Sequence, residues 1–156
     1  MDFNVVIPAR YESTRLPGKP LIDIAGIPMV IRTAIQASKS GAQYVIIATD
    51  DERIKKTAEK HGFEALMTDK AHPSGTDRVL DIANQKGWLR DEIIINVQGD
   101  EPLIDPELIK LIAKALQEIN INYVSASSNF KNFNEYLNPN NVKVICDKNK
   151  FASEFY

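Results

Sequence analysis

The sequence predicts an α/β fold of three layers, α/β/α, with a mostly parallel mixed sheet between helices. Three observations carry this. Short apolar runs rich in β-branched residues alternate with amphipathic stretches through most of the chain, the pattern of βαβ units with a sheet covered on both faces. Clusters of Gly, Pro and polar residues separate the runs and break regular structure there. The last two extended runs, 142–146 and 151–156, flank a four-residue turn at 147–150 and read as a hairpin, which makes the sheet mixed.

The elements follow in order. Residues 3–7 read as a buried strand. A helix is expected over 28–40, with Val30, Ile31, Ala34 and Ile35 on one face, Pro28 in its first turn and Gly41 at its stop. Residues 44–49 form a second strand, and 51–61 a second helix with Asp50 as N-cap and Gly62 beyond its end. A short strand spans 63–67. A helix over 76–86 turns Val79, Leu80, Ile82 and Ala83 inward. Residues 92–97 are the most apolar strand. Asp105 caps a helix that opens with Pro106 and runs to about 118, its buried side lined by Leu108, Leu111, Ile112, Ala115 and Leu116 at the spacing of one helical face. A strand is expected over 123–127 and a polar, Asn-rich loop over 129–141.

At 156 residues the expectation is one domain, 1–156. A formal net charge of −2 argues against nucleic-acid or membrane-surface binding, which needs a basic excess. The single cysteine, Cys146, excludes an internal disulfide. It lies in an apolar run and reads as a buried strand residue rather than a nucleophile. No apolar stretch reaches membrane-spanning length, and the opening Met-Asp-Phe-Asn has no signal-peptide character. A cytoplasmic protein is expected.

Three loops carry residues suited to chemistry. The first, Pro-Ala-Arg-Tyr-Glu-Ser-Thr-Arg-Leu-Pro-Gly-Lys-Pro over 8–20, sets Arg10, Arg15 and Lys19 directly after the first strand, with the hydroxyls of Ser13 and Thr14 beside them. Prolines fix its path, and forked guanidinium donors with a compact ammonium suit a polyphosphate. A solvated basic surface is the plainer alternative. The second, 72–78, offers Ser74 and Gly75 at a helix start, where small residues let a ligand approach free backbone N–H groups. Simple capping by Ser74 or Thr76 explains it as well. His72, before Pro73, reads as a loop residue, neither base nor metal ligand. The third, Gln98-Gly99-Asp100-Glu101-Pro102, puts Asp100 at the tip of the most buried strand. A carboxylate there suits a Mg²⁺ ion shared with substrate phosphates, or a tight turn that satisfies it with hydrogen bonds. Together the loops match phosphoryl or nucleotidyl transfer. Neither a P-loop nor a Gly-x-Gly-x-x-Gly is present.

The stretch Val-Ile-Pro-Ala-Arg-Tyr-x-Ser-Thr-Arg-Leu-Pro-Gly-Lys-Pro-Leu (6–21) resembles the opening of the cytidylyltransferases that activate acidic sugars, above all those acting on 3-deoxy-manno-octulosonate (Kdo). Ala48-Thr49-Asp50, Ser74-Gly75-Thr76-Asp77-Arg78, Asn96 to Pro102 and Asn138 to Val144 agree with that family in order and spacing. The resemblance implies a nucleotide-diphospho-sugar transferase-like fold and the reaction of CTP with Kdo, or a related acidic sugar, to give CMP-sugar and pyrophosphate for lipopolysaccharide synthesis. It implies that Arg10, Arg15 and Lys19 hold the triphosphate, with Lys19 meeting charge on the departing pyrophosphate. Ser13 and Gly75 join the nucleotide site; Ala9, Ser74 and Arg78 line its cytidine side; Gln98 touches the sugar; and Asp100 binds Mg²⁺. Family members continue past the residue matching Tyr156, through a second metal-binding aspartate, sugar-binding residues and a homodimer contact. The fold is therefore expected to be incomplete at its C-terminus. A catalytically incompetent CTP-binding fragment remains the alternative.

Overall fold

The structure, a computed structural model, describes residues 2–12, 16–88, 90–119 and 121–156. It falls into two compact units, one ending at Val124 and one spanning Ser125–Tyr156.

In the first unit the strands are β1 (Asn4–Ala9), β2 (Asp23–Ile24), β3 (Ile27–Pro28), β4 (Tyr44–Thr49), β5 (Glu64–Met67) and β6 (Ile94–Asn96). The helices are α1 (Met29–Ser38), α2 (Glu52–Lys60), α3 (Gly75–Lys86) and α4 (Pro106–Ile119). The main sheet runs β5-β4-β1-β6, every pair parallel. β1 is buried along its whole length, as a central parallel strand covered on both faces must be. Alternation sorts its side chains: Val5, Ile7 and Ala9 pack with Ile31 and Ala34 of α1, Ile54 of α2 and Ile109 and Ala113 of α4, while Val6 joins Ile46, Ala48 and Ile82 of α3 on the other face. These two clusters make the expected three layers. Among the described residues, no helix is long and apolar enough to cross a membrane.

Several expectations shift in detail. The buried stripe of α4 is Ile109, Ile112, Ala113 and Leu116, whereas Leu111 is 62% exposed. The helix is apolar around more than half its girth, so two phases satisfied the same spacing, and the sheet selected the other. In α3, Leu80 is exposed; Ile82 and Ala83 are buried and Val79 packs against the same cluster as expected, and Arg78 is buried with them. Asp51, not Asp50, caps α2, its carboxylate accepting from the Arg53 N–H at 2.9 Å. A short antiparallel pair, β2–β3, was not foreseen; it turns through Ala25 and Gly26, both at positive φ (50° and 85°).

The second unit holds α5 (Phe133–Leu137), β7 (Val144–Cys146) and β8 (Ala152–Phe155). β7 and β8 pair antiparallel, as the hairpin reading required, but as a sheet of their own. The strand expected over 123–127 is not formed: no regular element is found there. The Asn-rich loop instead contains α5, capped by the Asn132 side chain on the Glu135 N–H at 2.9 Å. Cys146 is exposed, not buried. Its hairpin has β8 open to solvent throughout, so an apolar strand sequence there does not mean a core.

Candidate active site

The carboxyl ends of β1 and β6 leave the sheet side by side, since Asn4–Val6 pair in register with Ile94–Asn96 and the Val97 N–H continues the ladder to the Val6 carbonyl at 3.0 Å. The loops after these strands therefore emerge together. Gly99 has to be glycine: a Cβ there would lie 2.9 Å from the Pro8 carbonyl oxygen and 3.4 Å from the Ala9 Cβ. Thr33, buried on α1, secures this loop by donating to the Gly99 carbonyl at 3.1 Å. The start of α3 closes in from the third side, where a Cβ on Gly75 would meet the Pro8 ring at 3.1 Å.

The result is a cleft of about 620 Å³ lined by Pro8, Ala9, Arg10, Leu16, Lys19, Pro20, Gly75, Gln98, Gly99 and Asp100. It lies at the carboxyl edge of a parallel sheet, where such folds bind ligands. Of the residues singled out from sequence, Ala9, Arg10, Lys19, Gly75, Gln98 and Asp100 all reach this one cleft. Ser13 and Arg15 lie outside the described residues.

Charge inside the cleft is arranged in pairs. Lys19 Nζ donates to Asp100 Oδ2 at 2.5 Å, with the two side chains 37% and 47% exposed. Arg10 Nη2 donates to the His72 carbonyl at 2.5 Å. The His72 ring sits with Nε2 2.8 Å from Asp81 Oδ2. Hydrogen bonds from Gln85 and then His72 hold the Asp81 carboxyl below its ordinary range. So His72, passed over in the sequence, braces the loop that receives Arg10. Gln98 donates to Asn96 Oδ1 at 3.0 Å.

Ser74 and Arg78 are not among the residues that line this cleft. Ser74 caps α3 in a reciprocal box: its hydroxyl oxygen accepts the Asp77 N–H at 3.3 Å, while the Asp77 carboxylate accepts the Ser74 N–H at 3.0 Å and the Ser74 hydroxyl at 2.5 Å. That hydroxyl is the first cause of the lowered Asp77 carboxyl pKa. Arg78 is enclosed entirely, Nη1 on Thr68 Oγ1 and Nη2 on Asp50 Oδ2, both at 2.6 Å. A guanidinium sealed in this way ties α3 to the ends of β4 and β5 instead of facing the cleft. The sequence hint to this pairing is Asp50 itself, whose carboxylate directly follows β4 and is free for Arg78 because Asp51 caps α2.

The arrangement is that of an α/β ligand-binding domain with a mixed-charge cleft at its carboxyl edge. The profile of the cytidylyltransferase family matches residues 4–155, and the chain belongs to that family. It is 48% identical over 154 residues to the 3-deoxy-manno-octulosonate cytidylyltransferase of Neisseria meningitidis serogroup A, covering 99% of this chain and 61% of that protein. The corresponding protein of Aeromonas hydrophila is 47% identical, covering 99% and 63%. A solved structure of CMP:2-keto-3-deoxy-manno-octonic acid synthetase complexed with CTP superposes with a TM-score of 0.84 at 34% identity, covering 99% of this chain and 63% of that one. The chain thus spans about three-fifths of the length of the relatives it matches.

Proposed function

We propose that this chain binds CTP in the cleft at the ends of β1 and β6 and takes part in transferring CMP to Kdo or a related acidic sugar. The observation that supports this reading most directly is the meeting of Lys19 and Asp100 at 2.5 Å on one cleft wall, 81 positions apart in sequence. One group suits phosphate and the other a cation held between phosphates. In the reaction the anomeric hydroxyl oxygen bonds to the α-phosphorus and gives up its proton to water, the bond from the α-phosphorus to the oxygen bridging the β-phosphate breaks, and pyrophosphate leaves with the electron pair.

Lys19, Arg10 and Arg15 orient the triphosphate and offset the charge gathering on pyrophosphate. The close packing of Gly75 and Gly99 around Pro8 and Ala9 brings backbone near the base and ribose, with Ser13 and Gln98 as polar contacts. Arg78 acts from behind, holding the start of α3. Asp100 is the candidate ligand for a divalent ion, Mg²⁺ above all. No group of three or more His, Cys, Asp or Glu suited to a metal occurs among the described residues, but Mg²⁺ held mainly by substrate phosphates needs only one or two carboxylates, so Asp100 fits that role. Such an ion, when bound, neutralises phosphate oxygens. A cytoplasmic setting, a place in lipopolysaccharide synthesis and a homodimer of the longer form belong to the same reading.

The test is to mix the chain with CTP, Kdo and Mg²⁺ and follow pyrophosphate. Release that depends on Kdo supports transfer. A second reading, CTP binding without turnover, predicts calorimetric CTP binding and no pyrophosphate. Competing sugars in the same assay separate Kdo from its amino-substituted or sialic-acid analogues.

A further inference from the structure

The basic loop is closed at its neck. The Gly18 N–H donates to the Tyr11 carbonyl at 2.8 Å, and the Leu21 N–H returns to the Gly18 carbonyl at 2.9 Å. Gly18 is buried with φ 72°, and a Cβ there would lie 3.2 Å from the Tyr11 ring. Glycine is needed on both counts, because an L side chain is strained at that φ and the ring fills the space. Tyr11 in turn packs against the core around β1. Its other partner comes from α2: Arg53 Cζ stands 3.3 Å from the centre of the Tyr11 ring. Arg53 is itself fixed as a fork, Nε and Nη2 donating to the two Asp51 oxygens at 2.9 and 2.6 Å. Asp51 is held in turn by capping α2, where it accepts the Arg53 N–H. This chain of contacts ends one residue before Lys19.

We propose that Tyr11 and Arg53 are positioning residues, a stacked clamp that holds the neck of the basic loop and thereby sets Lys19 at the cleft. The inference rests on the CTP reading above. A cation over an aromatic face is favourable, and a guanidinium more readily than an ammonium because it also stacks. Arg53→Ala leaves the backbone cap of α2 in place, so it removes the clamp without removing the helix.

The experiment uses the 156-residue chain with two readouts. Hydrogen exchange reports the amides of Gly18 and Leu21; calorimetry reports CTP affinity with Mg²⁺. Arg53→Ala and Tyr11→Ala are expected to lose protection at Gly18 and to weaken CTP about two- to fivefold, in line with a partly exposed cation–aromatic contact. Tyr11→Phe keeps the ring and is expected to restore both. Unchanged Gly18 protection in Arg53→Ala overturns the clamp. Lost protection with unchanged CTP affinity overturns its positioning role. A wild-type chain that binds no CTP overturns the underlying reading, and the inference with it.

Discussion

Lys19 and Asp100 form an ion pair that is easily exchanged. Both side chains are more than a third exposed, and such pairs contribute about 0–1 kcal/mol. A phosphate arriving at Lys19 and a cation arriving at Asp100 can therefore replace the pair at little cost. Lys19→Ala is expected to change unfolding free energy by less than about 1 kcal/mol while lowering CTP affinity at least tenfold by calorimetry. Asp100→Asn should flatten the rise of CTP affinity with Mg²⁺; a titration that overlays the wild type removes Asp100 from the metal site. Arg78 presents the opposite balance. It is fully enclosed, and its partner Asp50 has only 14% of its side chain exposed. Removing one member of a buried pair strands the other and costs about 3–5 kcal/mol. Arg78→Ala is therefore expected to lower urea stability severely, far more than any substitution in the cleft.

At the scale of elements, α3 is the part most tied to carboxylates. Asp77 closes its capping box, and Asp81 on its next turn accepts from Gln85 and the Asp69 N–H and faces His72. Both carboxyls titrate below their ordinary value in the folded chain. A depressed carboxyl binds its proton more weakly when folded than when unfolded. Its stabilisation is thus complete above the unfolded pKa and fades as pH falls through the folded one. Asp81→Asn is expected to be less stable than wild type in urea at pH 7, with the gap closing below about pH 4, the ordinary range of an aspartate. A gap that is constant with pH would contradict the role given to this carboxylate. The same helix shows how far sequence reached. Its start, expected at Thr76 behind a capping Ser74 or Thr76, falls at Gly75, and its end falls at Lys86 as expected. Its inward face followed at Val79, Ile82 and Ala83 but not at Leu80, which is exposed while Arg78 is buried.

Across the whole molecule, what could be read in the sequence was what local chemistry determines. β-branched runs gave the strands of the parallel sheet, and Gly and Pro gave the loops that carry the cleft. Residues as distant as Lys19 and Asp100 were joined only through the rule that ligands gather at strand ends. What stayed hidden depends on tertiary choice. Two phases of α4 were equally apolar, two adjacent aspartates could cap α2, and Cys146 sat in a strand sequence with no core beneath it. His72 offered little signal, since its parts are a backbone carbonyl that receives Arg10 and a ring contact to Asp81 nine residues on. The account stands or falls on where the nucleotide binds. The most direct measurement is a ¹H–¹⁵N NMR titration of the chain with CTP and Mg²⁺. The account predicts that the amides of Arg10, Lys19, Gly75, Gln98, Gly99 and Asp100 shift together. Shifts confined to the opposite end of the sheet, around Asn4 and Gln43, with those amides unmoved, would contradict it.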